Sequence, residues 1–247
     1  MERVDGGTRP CMGGIYPAGD VERASSFPLC RSADHAGEMR LLLGGTRSGK
    51  SSLAVAMAEG LGGDLLFLAT ARDPDPEMED RIRRHREERS SNWKTLEWNG
   101  EAFPGLPDRV EVVLLDSVTL LASDILVREW ERSGRPIRGA SFAMDLVDEV
   151  SGRVIRLVRD LRRRSRFLLV VGDEVGLGTV PPDPLGRAFR DLCGTVNRLL
   201  ARESDRVYFV VAGLPFCLKG DGSTLMDPPS LPERRPERVP EGVDPPP

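Results

Sequence analysis

A short run of glycines and hydroxyl side chains around one lysine has the spacing of a phosphate-binding loop. The run reads Gly44-Gly45-Thr46-Arg47-Ser48-Gly49-Lys50-Ser51 and matches the pattern G-x-x-x-x-G-K-S/T. Glycines let backbone N–H groups converge on phosphate oxygens, and the positive end of a following helix adds to the attraction. The lysine of such a loop contacts the β- and γ-phosphates, and the last hydroxyl binds Mg²⁺. We therefore predict a nucleoside triphosphate site, with Lys50 as a catalytic residue and Ser51 as a metal ligand.

A second candidate element, which ends in a carboxylate, lies further along the chain. Residues 112–116 read Val-Val-Leu-Leu-Asp, an apolar strand that ends in Asp116. In an open α/β sheet the carboxyl ends of the strands gather beside the phosphate loop, so Asp116 is expected near a metal bound there. The alternative is that Asp116 caps a helix, because a helical pattern begins directly after Ser117.

His85 is one of two histidines in the chain and lies in a segment crowded with arginines. If residues 77–89 are helical, Arg81 and Arg89 lie one turn to either side of His85. Positive neighbours lower the pKa of an imidazole and so favour its neutral, nucleophilic form, while guanidinium groups can hold phosphate oxygens. The alternative is a solvated charged helix in which the histidine has no role.

A third candidate segment is the Gly- and Pro-rich stretch at residues 172–182, which follows an apolar run. Loops at the carboxyl ends of strands are the usual place for ligand contacts in open α/β sheets. Asp173 and Glu174 are therefore candidates to contact substrate or metal. The alternative is a solvated turn leading to the helix that begins near Leu185.

Apolar runs alternate with helical patterns in the part of the chain that holds these candidates. The runs cover residues 41–43, 65–69, 110–115, 167–171 and 207–212, and their aliphatic content is typical of buried parallel strands. Apolar residues recur every three or four positions across residues 147–161 and 185–199, which predicts two amphipathic helices, with Cys193 in the core. The alternation predicts an α/β fold with a mostly parallel sheet and helices on both faces.

Bulk composition narrows the class of protein. A formal net charge of −4 over 247 residues argues against nucleic acid or an acidic membrane as a partner of the whole chain. No apolar run reaches the length of about 18 residues that predicts a membrane-spanning helix. Cys11, Cys30, Cys193 and Cys217 lack the spacing of a metal site, so we expect reduced thiols and a cytoplasmic protein.

The two ends of the chain differ from its middle. Residues 1–38 lack apolar periodicity, and residues 220–247 hold eight of the 20 prolines, so both are expected to be disordered tails. Met39 lies two residues before the first predicted strand, which suggests an upstream-start artefact for the N-terminal extension; a genuine tail is the alternative. The expected compact domain is therefore residues 39–219.

Several segments between residues 40 and 219 together resemble one family, the bifunctional adenosylcobinamide kinases/adenosylcobinamide-phosphate guanylyltransferases of cobalamin biosynthesis. A phosphate loop alone occurs in many families, but E-M-x-x-R-I-x-x-H at residues 77–85 followed by E-V-G-x-G-x-V-P at residues 174–181 is specific. The other shared segments are Leu68-Ala69-Thr70-Ala71, Trp93-Lys94-Thr95-Leu96-Glu97, Asp116-Ser117-Val118-Thr119, Phe189-Arg190-Asp191 and Val196-Asn197.

The resemblance implies a transferase with two activities on one RecA-like P-loop scaffold. ATP or GTP phosphorylates the aminopropanol hydroxyl of adenosylcobinamide, and GTP then donates GMP to that phosphate, leaving a GDP-linked corrinoid. It implies that His85 is transiently guanylylated, that Mg²⁺ assists, and that the protein is a homotrimer. The expected catalytic residues are therefore His85 and Lys50.

The resemblance also extends the expected nucleotide-binding set. That set is Gly44, Gly45, Thr46, Arg47, Ser48, Gly49, Lys50, Ser51, Ala69, Thr70, Ala71, Arg86, Glu87, Glu88, Arg89, Glu97 and Asp116, with Ser51 and Asp116 as metal ligands. The chain departs from the family pattern at four positions: Arg84 replaces a common histidine, Glu88 a glycine, Asp116 a glutamate and Asp173 an asparagine. Two other functions stay open: a monofunctional P-loop kinase of another hydroxyl-bearing metabolite, and a nucleotide-binding regulator without catalysis.

Overall fold

The computed structural model describes residues 37–70, 93–98, 110–134 and 140–220, with only the backbone described at 140–142. Eleven elements follow one another in this part of the chain. In order they are β1 (Glu38–Gly44), α1 (Lys50–Leu61), β2 (Leu65–Ala69), β3 (Trp93–Glu97), β4 (Val110–Asp116), α2 (Val118–Ser133), α3 (Ala140–Arg164), β5 (Ser165–Asp173), α4 (Pro184–Glu203), β6 (Arg206–Val211) and β7 (Leu214–Lys219).

All seven of these strands belong to one sheet in the order β3-β2-β4-β5-β1-β6-β7. The six strands from β3 to β6 are parallel to their neighbours, and β7 pairs antiparallel with β6 at one edge. All five apolar runs are strands, so the predicted mostly parallel α/β sheet is confirmed. The order places β5 between β1, which leads into the phosphate loop, and β4, which ends in Asp116.

Two strands were not predicted, and both are at the edges of the sheet. In β3 only Trp93 and Leu96 are partly buried, so no continuous apolar run marks the strand. In β7 alternate residues Leu214, Phe216 and Leu218 are exposed, so the strand lacks the continuous buried run that marks a central strand. Edge strands are buried on fewer sides than central ones, and their sequences are correspondingly less apolar.

Helices cover both faces of the sheet, as predicted. Successive residues of a strand point to opposite faces, so Leu42 joins the core cluster with Leu53 and Ala54 of α1. Its neighbours Leu41 and Leu43 join the other cluster, which contains buried residues of α2, α3 and α4. The sheet thus carries α1 on one face and three helices on the other.

The two helices predicted from apolar periodicity are α3 and α4. In α4 Cys193 is buried, which confirms its expected place in the core. Burial raises the pKa of the Cys193 thiol to about 12, and the nearby charges of Asp173 and Glu174 act in the same direction. Cys193 and Cys217 are both free thiols. Among the described helices none is long and apolar enough to cross a membrane.

The expected compact domain, residues 39–219, stays a prediction, and the described sheet can be set beside it. β1 begins at Glu38, one residue before the expected start, and β7 ends at Lys219. Apart from the residues next to these two strands, the segments expected to be disordered, 1–38 and 220–247, lie outside the described residues.

Candidate active site

The β1–α1 connection has the backbone of a phosphate loop. A Cβ at Gly44 would lie 2.5 Å from the Val210 carbonyl oxygen and 2.7 Å from Ser48 Oγ, so only glycine fits where β1 ends. Gly49 is in the left-handed region with φ 91°, and no side chain caps the start of α1. The first N–H groups of α1 are therefore open to an anion, and the positive end of the helix dipole favours one there.

The turn between β6 and β7 braces this loop from the side. Gly213 N donates to the Ser48 carbonyl at 2.8 Å, and a Cβ at Gly49 would come within 3.3 Å of Gly213 Cα. Ala212 and Gly213 both have positive φ, 52° and 80°, which lets the chain turn back at this point.

The Ser48 hydroxyl has no partner within the described structure, although it is buried. A buried unpaired hydroxyl is costly unless a ligand or water satisfies it. A phosphate oxygen would do so, and the loop therefore suits the triphosphate that the sequence predicts.

Lys50 is the buried cation of the loop. Its Nζ lies 2.6 Å from Asp173 Oδ1 and donates to the Gly45 carbonyl at 3.2 Å. The parallel register of β1 and β5 sets Gly44 opposite Asp173, which brings the end of β5 to the phosphate loop. The sequence marked Asp173 as a candidate but did not pair it with Lys50, because the pairing depends on which strand lies beside β1.

Three elements hold the end of β5 in place. The Asp173 N–H donates to Thr119 Oγ1 of α2 at 2.6 Å, and Asn197 Nδ2 of α4 donates to the Asp173 carbonyl at 3.1 Å. The Glu174 N–H donates to the Gly44 carbonyl at 3.0 Å. Sequence reasoning gave Thr119 and Asn197 no role. The signal for Asn197 is a polar residue, here buried, inside the apolar face of a helix.

The strand register places the other expected residues along the same edge of the sheet. Ala69 lies opposite both Glu97 and Asp116, and Asp116 lies opposite Val171. Adjacent strands are ~4.8 Å apart, so Asp116 is about 10 Å and Glu97 about 19 Å from β1 across the sheet. Glu97 is therefore too far away to share a phosphate with Lys50, and only an extended ligand can contact both.

Ser117, rather than Asp116, caps α2. The Ser117 Oγ accepts the Leu120 N–H at 3.3 Å, so the helix-cap alternative for Asp116 is not what the structure shows. Thr70 binds both backbone groups of Ser117. Its Oγ1 donates to the Ser117 carbonyl at 2.7 Å and accepts the Ser117 N–H at 3.0 Å. The Thr70 hydroxyl is thus engaged with the backbone next to Asp116.

The oxygen groups at this edge fit Mg²⁺ bound together with a nucleotide. Mg²⁺ prefers oxygen ligands and is commonly held by one or two carboxylates, waters and substrate phosphates. Groups of this type at this edge include the Ser51 hydroxyl after the loop, Asp173 at the end of β5 and Asp116 at the end of β4. Among the described residues no cluster of three or more His, Cys, Asp or Glu side chains suits a metal ion. A site completed by phosphates does not need such a cluster.

Part of the expected site lies outside the described residues. The residues concerned are Ala71, His85, Arg86, Glu87, Glu88 and Arg89, together with Arg81. The assignment of His85 as a nucleophile therefore stays a prediction.

Comparison with known proteins gives a consistent set of similarities. The family model for cobinamide kinase / cobinamide phosphate guanyltransferase matches residues 40–218. The bifunctional adenosylcobalamin biosynthesis protein CobU of Escherichia coli is 34% identical over 184 residues, which is 73% of this chain and 99% of the relative. The corresponding protein CobP of Pseudomonas aeruginosa is 35% identical over 184 residues, 73% of this chain and 97% of the relative.

One solved structure that matches is much more distant in sequence. A structure from a structural and biochemical analysis of a prototypical ATPase of the type III secretion system matches with a TM-score of 0.43 and 12% identity. It covers 70% of this chain and 51% of that chain.

Proposed function

The chain belongs to the cobinamide kinase/cobinamide phosphate guanyltransferase family, and on that basis we propose that it carries out both reactions on adenosylcobinamide. ATP or GTP first phosphorylates the aminopropanol hydroxyl, and GTP then donates GMP to the new phosphate. The observation that carries the proposal is the match over residues 40–218, which includes the sheet apart from the first two residues of β1 and the last residue of β7.

The kinase step uses the phosphate loop. The substrate hydroxyl oxygen attacks the γ-phosphorus and its proton passes to water, while the bond from that phosphorus to the bridging oxygen breaks and the nucleoside diphosphate leaves. Lys50 leaves Asp173 and pairs with the phosphates, while the Ser48 hydroxyl and the first N–H groups of α1 donate to phosphate oxygens. Bound Mg²⁺, held by Ser51 and Asp116, would offset the negative charge of the triphosphate.

The guanylyl step is assigned to His85, and its support is the resemblance rather than described geometry. An imidazole nitrogen attacks the α-phosphorus of GTP, and pyrophosphate leaves as the α–β bridge breaks. An oxygen of the corrinoid phosphate then attacks the same phosphorus, the N–P bond breaks, and the imidazole is regenerated. Two displacements replace one direct reaction between two anions.

The oligomeric state and the cellular location are part of the same proposal. We propose a homotrimer, and the exposed apolar side chains Leu214, Phe216 and Leu218 on edge strand β7 support association with another copy. A cytoplasmic location is proposed because the described cysteines are free thiols.

The proposal is tested with purified protein, adenosylcobinamide and labelled nucleotides. γ-³²P-labelled ATP should label the corrinoid, and α-³²P-labelled GTP should label first the protein and then a GDP-linked corrinoid. The protein label should be acid-labile and alkali-stable, as a phosphoramidate is. If the corrinoid is phosphorylated but the protein is not labelled, the chain is a monofunctional kinase. If the chain binds nucleotide but forms neither product, it is a nucleotide-binding regulator without catalysis.

A further inference from the structure

The loop between β5 and α4 presents two exposed apolar side chains beside the phosphate loop. Leu177 is 81% exposed and Val180 is 63% exposed. The other large apolar side chains exposed in the described structure are Met144 on α3 and a group at the edge formed by β6 and β7. Exposed apolar side chains on a loop next to a binding site often mark a contact surface for a ligand.

The loop that carries them is held by a set of internal hydrogen bonds. The Gly176 N–H donates to Glu174 Oε1 at 2.8 Å, and the Gly178 N–H donates to the Val175 carbonyl at 3.2 Å. Glu174 in turn accepts from Asn197 Nδ2 at 3.4 Å. The first half of the loop is therefore folded back on its own base.

Two arginines of α4 hold the rest of the loop. Arg190 Nη2 donates to the Gly176 carbonyl at 2.8 Å, and Arg187 Nη1 donates to the carbonyls of Pro181 and Pro182 at 3.1 and 2.6 Å. A loop fixed in this way loses little conformational entropy when a ligand contacts it, which favours binding.

The start of the loop is part of the candidate kinase site. Asp173 contacts Lys50, and the Glu174 N–H donates to the Gly44 carbonyl at 3.0 Å. Leu177 follows Glu174 by three residues, so even a fully extended chain would place it no more than about 11 Å from that contact. An acceptor whose hydroxyl reaches the γ-phosphate can therefore rest its bulk against this loop.

We propose that Leu177 and Val180 form the contact surface for the corrin ring of the acceptor, an inference that rests on the proposed function. The hydroxyl to be phosphorylated is on the aminopropanol arm, so the arm enters the phosphate site and the ring stays outside it. The ring bears methyl groups between its amide side chains, and burying these methyl groups on two aliphatic side chains removes apolar surface of both partners from water.

The test compares the double variant Leu177→Ser/Val180→Ser with the full-length wild-type enzyme. The KM for adenosylcobinamide should rise about tenfold or more, because contact with two aliphatic side chains is lost. The kcat at saturating corrinoid and the Kd for GTP should stay unchanged, since aliphatic side chains cannot donate hydrogen bonds to phosphates. Equilibrium dialysis of adenosylcobinamide should show a matching rise in Kd without any need for turnover.

Met144→Ser is the matched control. Met144 is 65% exposed on α3 and is not among the residues assigned to the site or to the edge formed by β6 and β7, so its replacement should change neither corrinoid constant. Circular dichroism melting establishes that each variant is folded.

The possible results separate this inference from the proposed function. A double variant with wild-type KM and Kd for adenosylcobinamide overturns the inference and leaves the function intact. A raised Kd for GTP, or a change of mass in sedimentation together with the loss of activity, also overturns it, because the loop would then contact nucleotide or another subunit. A wild-type protein that neither binds nor phosphorylates adenosylcobinamide overturns both.

Discussion

Lys50 Nζ lies 2.6 Å from Asp173 Oδ1, with the Lys50 side chain 7% exposed and that of Asp173 26% exposed. The lysine expected to bind phosphate is therefore already paired with a carboxylate at the end of the neighbouring strand. To bind the β- and γ-phosphates, Lys50 must exchange this partner, and the carboxylate then faces a polyanion. Asp173 thus opposes nucleotide binding in the absence of a cation that offsets its charge.

Asp173→Asn should strengthen the binding of metal-free ATP or GTP. The variant has no ion pair to break and no carboxylate beside the phosphates, while an amide keeps the side chain's shape. We expect a Kd about tenfold lower, or ~1.4 kcal/mol, measured by calorimetry in EDTA. Asp160→Asn is the control, since Asp160 pairs with Arg163 on the surface of α3. Unchanged or weaker binding by Asp173→Asn would contradict the argument.

Lys50→Ala should abolish kinase turnover without unfolding the protein. The phosphates lose their fixed cation, which raises the barrier and slows the reaction by roughly 10² to 10⁴-fold. Because the single change leaves Asp173 unpaired, the double variant Lys50→Ala/Asp173→Asn serves as the control for charge. Both variants should melt cooperatively and be inactive when phosphate transfer to adenosylcobinamide is followed by chromatography. Turnover near the wild-type rate in either variant would rule out the assigned loop.

The sequence predicted the central part of the fold and the phosphate loop, because both depend on local patterns. Buried parallel strands are continuous apolar runs, and the loop is defined by consecutive residues such as Gly49 and Lys50. The ion-pair partner of Lys50 could not be predicted, because it depends on β5 lying between β1 and β4. Sequence spacing alone does not state strand order.

The same reason explains the other contacts that were missed. Thr70 and Ser117 are 47 positions apart and meet because β2 and β4 are neighbours. The edge strands β3 and β7 escaped detection because their side chains are largely exposed. Local chemistry was therefore predictable, whereas pairings across the sheet required the structure.

Thr70→Val should destabilise the protein and weaken catalysis together. Valine has the shape of threonine but leaves the buried N–H and carbonyl of Ser117 without the partner they have now. We expect a loss of ~1–3 kcal/mol in the free energy of unfolding, measured by urea denaturation. The kinase rate should also fall, because the backbone next to Asp116 is no longer fixed. Thr70→Ser keeps the hydroxyl and should retain most of the stability and most of the kinase rate. A valine variant as stable as the wild type would contradict the role of the Thr70 hydroxyl in fixing Ser117.

Cys193 should resist alkylation in the native protein. Its pKa is raised to about 12 by burial, so the reactive thiolate is scarce at neutral and mildly alkaline pH. Cys217 is only partly buried and should react with iodoacetamide before Cys193 does, as read by peptide mass mapping. Denaturant should abolish the difference. Rapid native labelling of Cys193 would show that α4 opens readily or packs differently.

The raised pKa of Cys193 also makes the free energy of unfolding decrease with rising pH. The unfolded thiol ionises near its ordinary pKa of 9.0, whereas the folded thiol keeps its proton up to about 12. Between these values the unfolded state binds fewer protons, so the free energy of unfolding falls as pH rises. Cys193→Ala should make this decline shallower in urea titrations across the window, and an unchanged slope would contradict the assignment.

The last prediction concerns His85, which lies outside the described residues and is assigned by resemblance. His85→Asn should eliminate both the guanylylated protein and the GDP-linked product, because an amide can hydrogen-bond a phosphate but cannot attack it. The kinase step should be largely spared, since it uses Lys50, Ser51 and metal but no covalent enzyme intermediate. The two steps are separated by supplying adenosylcobinamide with γ-labelled ATP in one assay and adenosylcobinamide phosphate with α-labelled GTP in the other. His85→Ala, which cannot make the hydrogen bond, distinguishes loss of attack from loss of positioning: the two variants should fail alike if attack is what is lost. An asparagine variant that forms the GDP-linked product at the normal rate would eliminate the covalent route and leave direct transfer between the two phosphates.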